Sequence, residues 1–209
     1  MHGDIKLENM VYGGPPGSPH YNRVYLIDFG LCSKYLLPDG SHIQKVTTQR
    51  FVGNFMFCSL NICRTTNKSR RDDFESIFYI LIYLLNKFRL PWSKLATLKP
   101  YTPERMGYIL GERLSRDMID QVISLCPASL RPFLIDAQKA KFESTPNYQG
   151  LRNALMSELY RLRRVEQSPM PGSDNSPSRQ QENADSWGSA ALEELSAGNQ
   201  SQPRLLGNS

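Results

Sequence analysis

The stretch that decides the fold is SRRDDFESIFYILIYLLNKFRLPW, at residues 69–92. Its acidic start, Asp72-Asp73-Phe74-Glu75, is typical of a helix N-terminus: Asp72 can accept from first-turn amides, and Glu75 can reach back to complete a capping box. Residues 77–85 are then apolar on every face of a helix, and a helix without a polar face is normally buried on all sides. We therefore predict a buried central helix that ends at Leu90-Pro91-Trp92.

The segments on either side of this helix predict an α+β, mainly α-helical chain. Apolar spacing and turn signals predict four further helices, at residues 103–111 with a continuation, 116–125, 131–141 and 148–164. Two short strands, at residues 9–12 and 24–27, flank a Gly- and Pro-rich turn and predict a β-hairpin. Residues 28–67 show no sustained period, and such long irregular stretches in a compact domain are usually functional or disordered.

Composition excludes several classes of protein. The chain has 209 residues, 40% hydrophobic and 22% charged, which are globular values. Its four cysteines are too scattered for a disulfide scaffold and form no Cys-x-x-Cys zinc pair, and its three histidines form no metal cluster. The longest apolar run is far shorter than the roughly 20 residues of a spanning helix. With no signal-peptide pattern at Met1, we expect an intracellular protein, cytoplasmic or nuclear, without a membrane partner.

The charge divides the chain at about residue 165. The whole chain carries +5, whereas residues 166–209 carry −4, which leaves +9 on residues 1–165. The acidic part is rich in Ser, Gln, Asn, Pro and Gly and predicts a disordered low-complexity tail. A basic body is compatible with nucleic-acid binding, but its charges are dispersed and no nucleic-acid-binding motif accompanies them. We therefore expect no nucleic-acid partner, although this interpretation stays open as a minor alternative.

Two motifs flank the predicted hairpin. His2-Gly3-Asp4-Ile5-Lys6-Leu7-Glu8-Asn9 precedes it, and Asp28-Phe29-Gly30 follows it. Asp-Phe-Gly alone is a weak signal, but the first pattern fixes four positions. In this order the motifs match the catalytic loop and magnesium-binding turn of protein kinases. Phosphoryl transfer needs oxygens to hold magnesium, a carboxylate to orient the hydroxyl and a cation to offset the migrating charge.

By these motifs the chain resembles the C-terminal lobe of a protein kinase, and most closely the casein kinase 1 family. That family carries a very similar Ser-Arg-Arg-Asp-Asp-Leu-Glu-Ser run where this chain has residues 69–76. It also has Ser-Ile-Asn where most kinases have Ala-Pro-Glu, and Ser59-Leu60-Asn61 stands there. The resemblance spans residues 1–164 and implies a kinase-like lobe with a short β-hairpin at the catalytic loop.

The resemblance assigns roles to the motif residues. It implies that Asp4 is the catalytic base and that Lys6 contacts the transferring phosphate, as in serine/threonine kinases. It implies that Asn9 and Asp28 hold Mg²⁺, with ATP as the second cofactor and proteins as substrates. For these carboxylate and amide residues, solvated turn positions are the alternative interpretation.

Four more residues have supporting roles by the same resemblance. Phe29 would pack to set the state of the turn, and Gly30 would permit that turn. His2 would support the backbone of the catalytic loop. Asp73 would hydrogen-bond the loop from below, or would simply cap its helix.

Departures from the family pattern bear on activity and regulation. Gly3 replaces the arginine that in many kinases grips a phosphorylated activation loop, which argues against that control. Asn54 replaces a threonine that bridges the base and the lysine, and Met56 replaces an arginine of the anion-binding pocket. Thr47 and Thr48 are potential phosphorylation sites in the activation segment.

The sequence contains no glycine-rich loop and no strand lysine, so we expect the N-terminal lobe to be absent. Without the phosphate cover and half of the adenine pocket, this chain alone is expected to be inactive or nearly so. Two hypotheses follow: part of a casein kinase 1-like serine/threonine kinase, or a non-catalytic pseudokinase-like interaction module. The oligomeric state is unknown from sequence.

Overall fold

The computed structural model describes residues 1–21, 23–48, 51–97 and 102–167. Within these ranges the chain has two strands and seven helices: β1 (Met10–Tyr12), β2 (Val24–Leu26), α1 (Leu60–Cys63), α2 (Arg70–Leu85), α3 (Ser93–Ala96), α4 (Pro103–Arg113), α5 (Arg116–Leu125), α6 (Arg131–Lys139) and α7 (Tyr148–Gln167). The mainly helical α+β prediction is therefore confirmed. No helix in the described ranges is both long and apolar enough to cross a membrane.

The chain divides into two units, Met1–Leu162 and Arg163–Ser209. The first unit contains the hairpin and most of the helical body, and it is the unit whose core and site are described below. The tail predicted for residues 166–209 falls outside the described residues from 168 onward. The domain boundary at residue 165 stays a prediction.

The central helix starts earlier than predicted. Ser69, not Asp72, is the N-cap of α2, and Asp72 is its third helical residue, where Oδ2 accepts from the Ser69 amide at 2.7 Å. The predicted capping role of Glu75 is wrong, because its Oε1 accepts from the Leu60 amide at 2.9 Å instead. The acidic run thus links α2 to α1 as well as starting α2.

The end of α2 also differs from the prediction. The helix ends at Leu85 with Asn86 as its C-cap, well before Leu90-Pro91-Trp92, and Lys87 and Phe88 adopt positive φ angles of 52° and 59°. The expectation of burial on all sides holds only in part: through Ile82 the apolar residues are buried except for Ile77 and Leu81, which are partly buried, and it fails at the C-terminal turn. There, Leu84 and Leu85 are 44% and 50% exposed.

The core is built around α2, which packs against α6 and α1. Phe78, Tyr79 and Ile82 of α2 are fully buried, and so is Trp92, whose ring lies 5.1 Å from that of Tyr79. Burial of apolar side chains is the main contribution to the stability of a helical domain, and each of these four side chains contributes about 1.5–3 kcal/mol. Helices α4, α5 and α6 complete the body, with α1 against α4 and each consecutive pair in contact.

The other predicted helices are confirmed within a few residues at their ends. Helix α5 has the predicted bounds, α6 ends two residues early, and α7 continues past residue 164. Ser115 and Thr102 cap α5 and α4 through their side-chain oxygens, as their residue types favour. The short helices α1 and α3 were not predicted, since four residues are too few to show a period.

The β-hairpin positions the two motifs. Strands β1 and β2 pair antiparallel, with Met10 opposite Leu26 and Tyr12 opposite Val24. Met10 and Leu26 pack against the core at the base of the hairpin. There, the Ile27 amide donates to the Asn9 carbonyl at 2.9 Å, which brings the ends of the two motifs together.

Candidate active site

Asp4 is the centre of the candidate site. Its side chain is buried, and its Oδ2 lies 2.7 Å from the Nζ of Lys6. The Nδ2 of Asn9 donates to the Asp4 carbonyl at 2.9 Å and to Oδ2 at 3.3 Å. On the other side, the Nδ2 of Asn54 donates to Oδ1 at 3.2 Å. Asp4, Lys6 and Asn9, three of the predicted site residues, are thus in direct contact. Asn54, from the irregular segment, also contacts Asp4.

The surroundings of Asp4 keep its carboxylate ionised. Burial alone would raise its pKa, but the hydrogen bonds from Lys6 and Asn54 and the charges of Lys6 and Lys68 lower it below its usual value. The net direction is downward, so the group is an anion at neutral pH. An ionised carboxylate is an acceptor only, as a residue that receives a hydroxyl proton must be.

The loop that carries Asp4 is held by the backbone of residues 2 and 3. The amide of His2 donates to Oδ2 of Asp73 at 2.6 Å, and the amide of Gly3 donates to Oδ1 at 2.8 Å. Asp73 therefore holds the loop with both oxygens, whereas the capping contact of α2 belongs to Asp72. Hydrogen bonds to a charged acceptor are the stronger ones, so this anchor is substantial.

His2 supports the loop from within. Its Nδ1 accepts from the amide of Asp4 at 3.2 Å, so its Nε2 carries the hydrogen that lies 3.0 Å from the carbonyl oxygen of Ile27. The ring thus lies between the backbone of Asp4 and the end of β2. The supporting role that the resemblance implies for His2 stays a prediction.

Gly3 is required by the backbone. Its φ is +79°, and a Cβ at this position would lie 2.9 Å from the carbonyl oxygen of Leu31. A residue with a side chain would be strained in this conformation and would displace the neighbouring loop. The glycine that replaces the usual arginine thus fits a local close approach.

The Asp-Phe-Gly turn lies at the open side of the site. Asp28 adopts a left-handed conformation (φ 61°, ψ 73°) and its Oδ1 accepts from the Gly30 amide at 3.2 Å. Phe29 is 63% exposed and makes a tilted ring contact with His2 at 5.2 Å. Among the described residues, no hydrogen bond or ion pair joins Asp28 to the Asp4 cluster. The hairpin brings them to the same end of the fold without direct contact.

Sequence comparison identifies what the chain is similar to. No protein-family model matches it. A probable casein kinase I homologue of Encephalitozoon cuniculi (strain GB-M1) is 37% identical over 165 residues, which are 77% of this chain and 48% of that protein. Casein kinase 1-like protein HD16 of Oryza sativa subsp. japonica is 32% identical over 155 residues, and casein kinase I homolog 2 of Saccharomyces cerevisiae (strain ATCC 204508 / S288c) is 31% identical over 160 residues.

The chain is a casein kinase I homologue. The matches cover 72–77% of this chain but only 48%, 20% and 28% of the three relatives. This casein kinase I homologue therefore spans less than half the length of the curated relatives that it matches. Together with the mainly helical fold and the small sheet, the comparison confirms the resemblance to a kinase C-terminal lobe.

Lys68 is a member of the site that sequence reasoning missed. Its Nζ donates to the carbonyl of Gly3, and its charge faces Asp4 and Asp73. Burial lowers the pKa of this ammonium group, and the two nearby carboxylates partly offset that effect. Its position directly before the Ser-Arg-Arg-Asp-Asp run was the available signal, but nothing in a sequence shows that a loop 65 residues away folds over it.

Two further hydrogen bonds hold the segment that carries Asn54. The Oδ1 of Asn54 accepts from the Phe57 amide at 2.6 Å, which fixes the amide plane that reaches Asp4. Met56 is partly buried, and its carbonyl accepts from Nε1 of Trp92 at 2.8 Å. The position that the family gives to an anion-binding arginine is here packed against the core.

The potential phosphorylation sites, Thr47 and Thr48, lie beside Thr65 and Thr66 in the irregular segment that follows the hairpin. Thr47 bridges to Thr66, and the Thr48 amide and hydroxyl both lie within hydrogen-bond distance of the Thr65 carbonyl. Thr47 is exposed, whereas Thr48 is half-buried. Of the two, Thr47 is the more accessible to another enzyme.

The oxygen donors at the site suit Mg²⁺, which needs few protein ligands, better than a metal ion held by three or more protein side chains. The described residues contain no group of three or more His, Cys, Asp or Glu side chains placed to hold a metal ion. Asn9, however, uses its Nδ2 on Asp4 and keeps its amide oxygen for another partner. Asp28 is exposed and carries a second oxygen beyond the one that accepts from Gly30. Magnesium typically takes one or two such oxygens and completes its shell with water and phosphate.

Proposed function

We propose that this casein kinase I homologue supplies the C-terminal lobe of a protein serine/threonine kinase. Such an enzyme transfers the γ-phosphate of ATP to serine and threonine hydroxyls of protein substrates. The observation that carries the proposal is the ionised carboxylate of Asp4, held between Lys6 and Asn54 with Asn9 against it. The names of the relatives, all casein kinase I proteins, support the same reaction.

In this proposal each residue has a distinct task. Asp4 accepts the proton of the substrate hydroxyl and orients it, since each carboxylate oxygen can accept more than one hydrogen bond. Lys6 lies 2.7 Å from Asp4 and is partly exposed, so it can face a transferring phosphate while it holds the base. The amide oxygen of Asn9 and the carboxylate of Asp28 would hold Mg²⁺. The bound ion would neutralise charge on the phosphates of ATP.

The positioning residues act through the backbone. His2 and Asp73 fix the main chain on the N-terminal side of Asp4, and Asn9 fixes the side chain from the C-terminal side. Positioning is the main source of rate in phosphoryl transfer, because the protein takes little part in the bond changes themselves.

One observation favours the second candidate, a non-catalytic interaction module. Both oxygens of Asp4 already have partners in the chain, Oδ2 with Lys6 and Asn9 and Oδ1 with Asn54. The amide of Asn54 takes a place at the base that the family gives to a threonine. A carboxylate saturated by its own chain would bind substrate poorly, and the fold would then serve for binding alone.

The two candidates are separated by phosphotransfer in a two-lobed protein. The chain would be joined behind the N-terminal lobe of the Encephalitozoon relative and assayed with Mg²⁺, labelled ATP and casein. We expect incorporation of phosphate into casein, and a loss of at least about 100-fold on Asp4→Asn, the range typical of a removed general base. Asp136→Asn, an exposed aspartate of α6, is the matched control and should keep full activity.

The results have opposite meanings for the two candidates. Incorporation that survives Asp4→Asn contradicts the proposed role of this residue. A folded two-lobed protein that shows neither phosphotransfer nor a rise in unfolding temperature with Mg-ATP supports the interaction module. Circular dichroism of the two-lobed protein and of its Asp4→Asn variant checks that each is folded.

A further inference from the structure

Two buried cysteines lie beside the candidate site and take no part in the proposed phosphoryl transfer. Cys58 immediately precedes the N-cap of α1, and Cys63 is the last residue of that helix. Both are buried and unbridged, and their sulfurs lie 3.6 Å apart, within the range of an S–H···S hydrogen bond. Two thiols at this distance need only a small approach to reach the roughly 2.0 Å of a disulfide bond.

A buried guanidinium is in contact with this pair. Arg113, fully buried at the end of α4, donates through Nη1 to the sulfur of Cys58 at 2.6 Å and through Nη2 to the Cys58 carbonyl at 2.6 Å. Within the described ranges, no Asp or Glu oxygen lies within ion-pair distance of it. A buried cation without a carboxylate partner is costly, and it favours a negative charge on the nearest polarisable group.

The charge distribution of the pair agrees with this contact. The hydrogen bond between the two sulfurs, with the charge of Arg113 in support, lowers the pKa of Cys63 to about 7. Burial raises the pKa of Cys58, so the pair retains one proton, which either sulfur can hold. A thiolate is the nucleophilic form of cysteine, and positively charged surroundings are typical of reactive cysteines.

A small cavity connects the pair to the candidate site. Its volume is about 20 Å³, and its lining includes Asp4, Asn54, Cys58 and Lys68 but not Cys63. This space is enough for about one water molecule. Only a very small oxidant could therefore enter this space beside Cys58, and hydrogen peroxide is of that size.

Cys58 is also linked to the residue that holds the candidate base. Its amide donates to the carbonyl of Asn54 at 3.2 Å, and the side chain of Asn54 donates to Asp4. On the other side, the Cys63 amide donates to the Ser59 carbonyl at 3.0 Å, so Cys63 is fixed by α1. An approach of the two sulfurs would move Cys58 more than Cys63 and would strain the Asn54 contact.

We propose that Cys58 and Cys63 form a peroxide-sensitive dithiol whose oxidation to a disulfide loosens the Asn54–Asp4 contact. With the one proton of the pair held by Cys63, the thiolate sulfur of Cys58 attacks one oxygen of hydrogen peroxide. The O–O bond breaks, one oxygen stays on Cys58 with its hydrogen as a sulfenic acid, and the other oxygen, with its own hydrogen, takes the proton of Cys63 and leaves as water.

The sulfur of Cys63 then attacks the sulfur of Cys58. The S–S bond forms, the S–O bond breaks, and the oxygen leaves as hydroxide, which takes a proton from solvent to become the second water. The two thiols lose two electrons in total, and the peroxide gains them. A thiol reductant such as dithiothreitol reverses the change by disulfide exchange.

The test uses the full chain and does not require kinase activity. The reduced protein would be treated with hydrogen peroxide without denaturant, quenched, unfolded, alkylated and digested with trypsin. Residues 51–64 form one tryptic peptide that contains both cysteines, since Arg50 precedes it and Arg64 ends it. We expect this peptide to lose both alkylation sites and two hydrogens, at least about tenfold faster than buried Cys126 is modified.

Matched variants separate the dithiol from other thiols. All would carry Cys32→Ser, because Cys32 is exposed. Cys63→Ser should leave a sulfenic acid at Cys58 that dimedone traps when it is added together with the denaturant, whereas Cys126→Ser should form the Cys58–Cys63 link as before. In the unsubstituted protein, oxidation should also speed hydrogen exchange at the amides of Phe57 and Cys58, both of which donate to Asn54.

Three results would overturn the proposal. The first is a 51–64 peptide that keeps both thiols after Cys32 has been fully oxidised. The second is a link that forms only when urea is present, which would show that the folded chain does not permit it. The third is a link that leaves exchange at Phe57 and Cys58 unchanged, which would remove the connection to Asn54.

Discussion

Asp73 supports the loop of the candidate site with both of its carboxylate oxygens. Its two oxygens accept from the amides of His2 and Gly3, at 2.6 and 2.8 Å, across 70 residues of sequence. Both amides belong to the start of the loop that carries Asp4. The position of Asp4 therefore depends on a residue of α2 rather than on the loop alone.

Asp73→Asn should loosen this loop and reduce stability. The amide side chain keeps one acceptor but turns an NH₂ group toward the second backbone N–H, so one charge-assisted hydrogen bond is lost. We expect a loss of about 1–3 kcal/mol in the free energy of unfolding by urea, with faster hydrogen exchange at His2 and Gly3. Asp136→Asn should change neither quantity. Unaltered exchange at both amides in Asp73→Asn would show that the loop is held by other contacts.

At the residue scale, the sequence located the residues around Asp4 more completely than the distant residues that hold them in place. Asp4, Lys6 and Asn9, which the motif groups within one short loop, are in contact in the structure, and their roles stay a prediction. Lys68 and Arg113 were missed, since their roles depend on where distant elements place them. A lone basic residue in a sequence has no feature that distinguishes a buried contact from a solvated one.

At the scale of elements, α2 shows why the local pattern was insufficient. The acidic run correctly predicted a helix, but three different acidic side chains perform three tasks that no pattern separates. Asp72 accepts from Ser69 and from the hydroxyl of Ser59, Asp73 holds the loop, and Glu75 accepts from the Leu60 amide. Helix α1 was too short to be predicted, and its packing decides which carboxylates are buried.

Glu75 gives the junction of α1 and α2 a distinctive pH dependence. Burial raises the pKa of Glu75 to about 7. The hydrogen bonds from Tyr79 and Leu60 lower this pKa, but they offset the effect of burial only in part. The pKa of Glu75 in the folded chain is above its value of about 4.3 in the unfolded chain. At a pH between these two pKa values, Glu75 is therefore protonated in the folded chain and ionised in the unfolded chain. This contribution to stability is complete below about pH 4 and is lost as the pH rises through 7.

Glu75→Gln should remove that contribution. The amide oxygen can still accept from Leu60 and Tyr79, but the side chain no longer ionises. Between pH 5 and pH 8 the wild-type chain should lose about 3 kcal/mol more stability than the variant, in urea unfolding at each pH. Glu143→Gln, at an exposed position, should follow the wild type. Parallel pH profiles for wild type and Glu75→Gln would contradict the raised pKa.

At the scale of the whole molecule, apolar surface is concentrated around the hairpin and the segment that follows it. The exposed large apolar residues of this part of the first unit include Tyr12, Tyr21, Val24, Ile27, Phe29, Leu31, Leu36 and Leu37. The hairpin register explains part of this. Tyr12 and Val24 are directly paired and share a face with Met10 and Leu26, but only the latter two reach the core. A face that begins in the core thus continues into solvent.

This surface should bind apolar probes. Tyr12 and Val24 are 80% and 60% exposed, so replacing them changes little packing but removes much apolar area. We expect the folded chain to enhance the fluorescence of anilinonaphthalene sulfonate, and Tyr12→Ser with Val24→Thr to reduce that enhancement by about half or more. Tyr108→Ser, at a similarly exposed position of α4, is the matched control and should leave it unchanged. Equal dye binding by all three proteins, with unchanged circular dichroism, would place the apolar binding surface elsewhere on the chain.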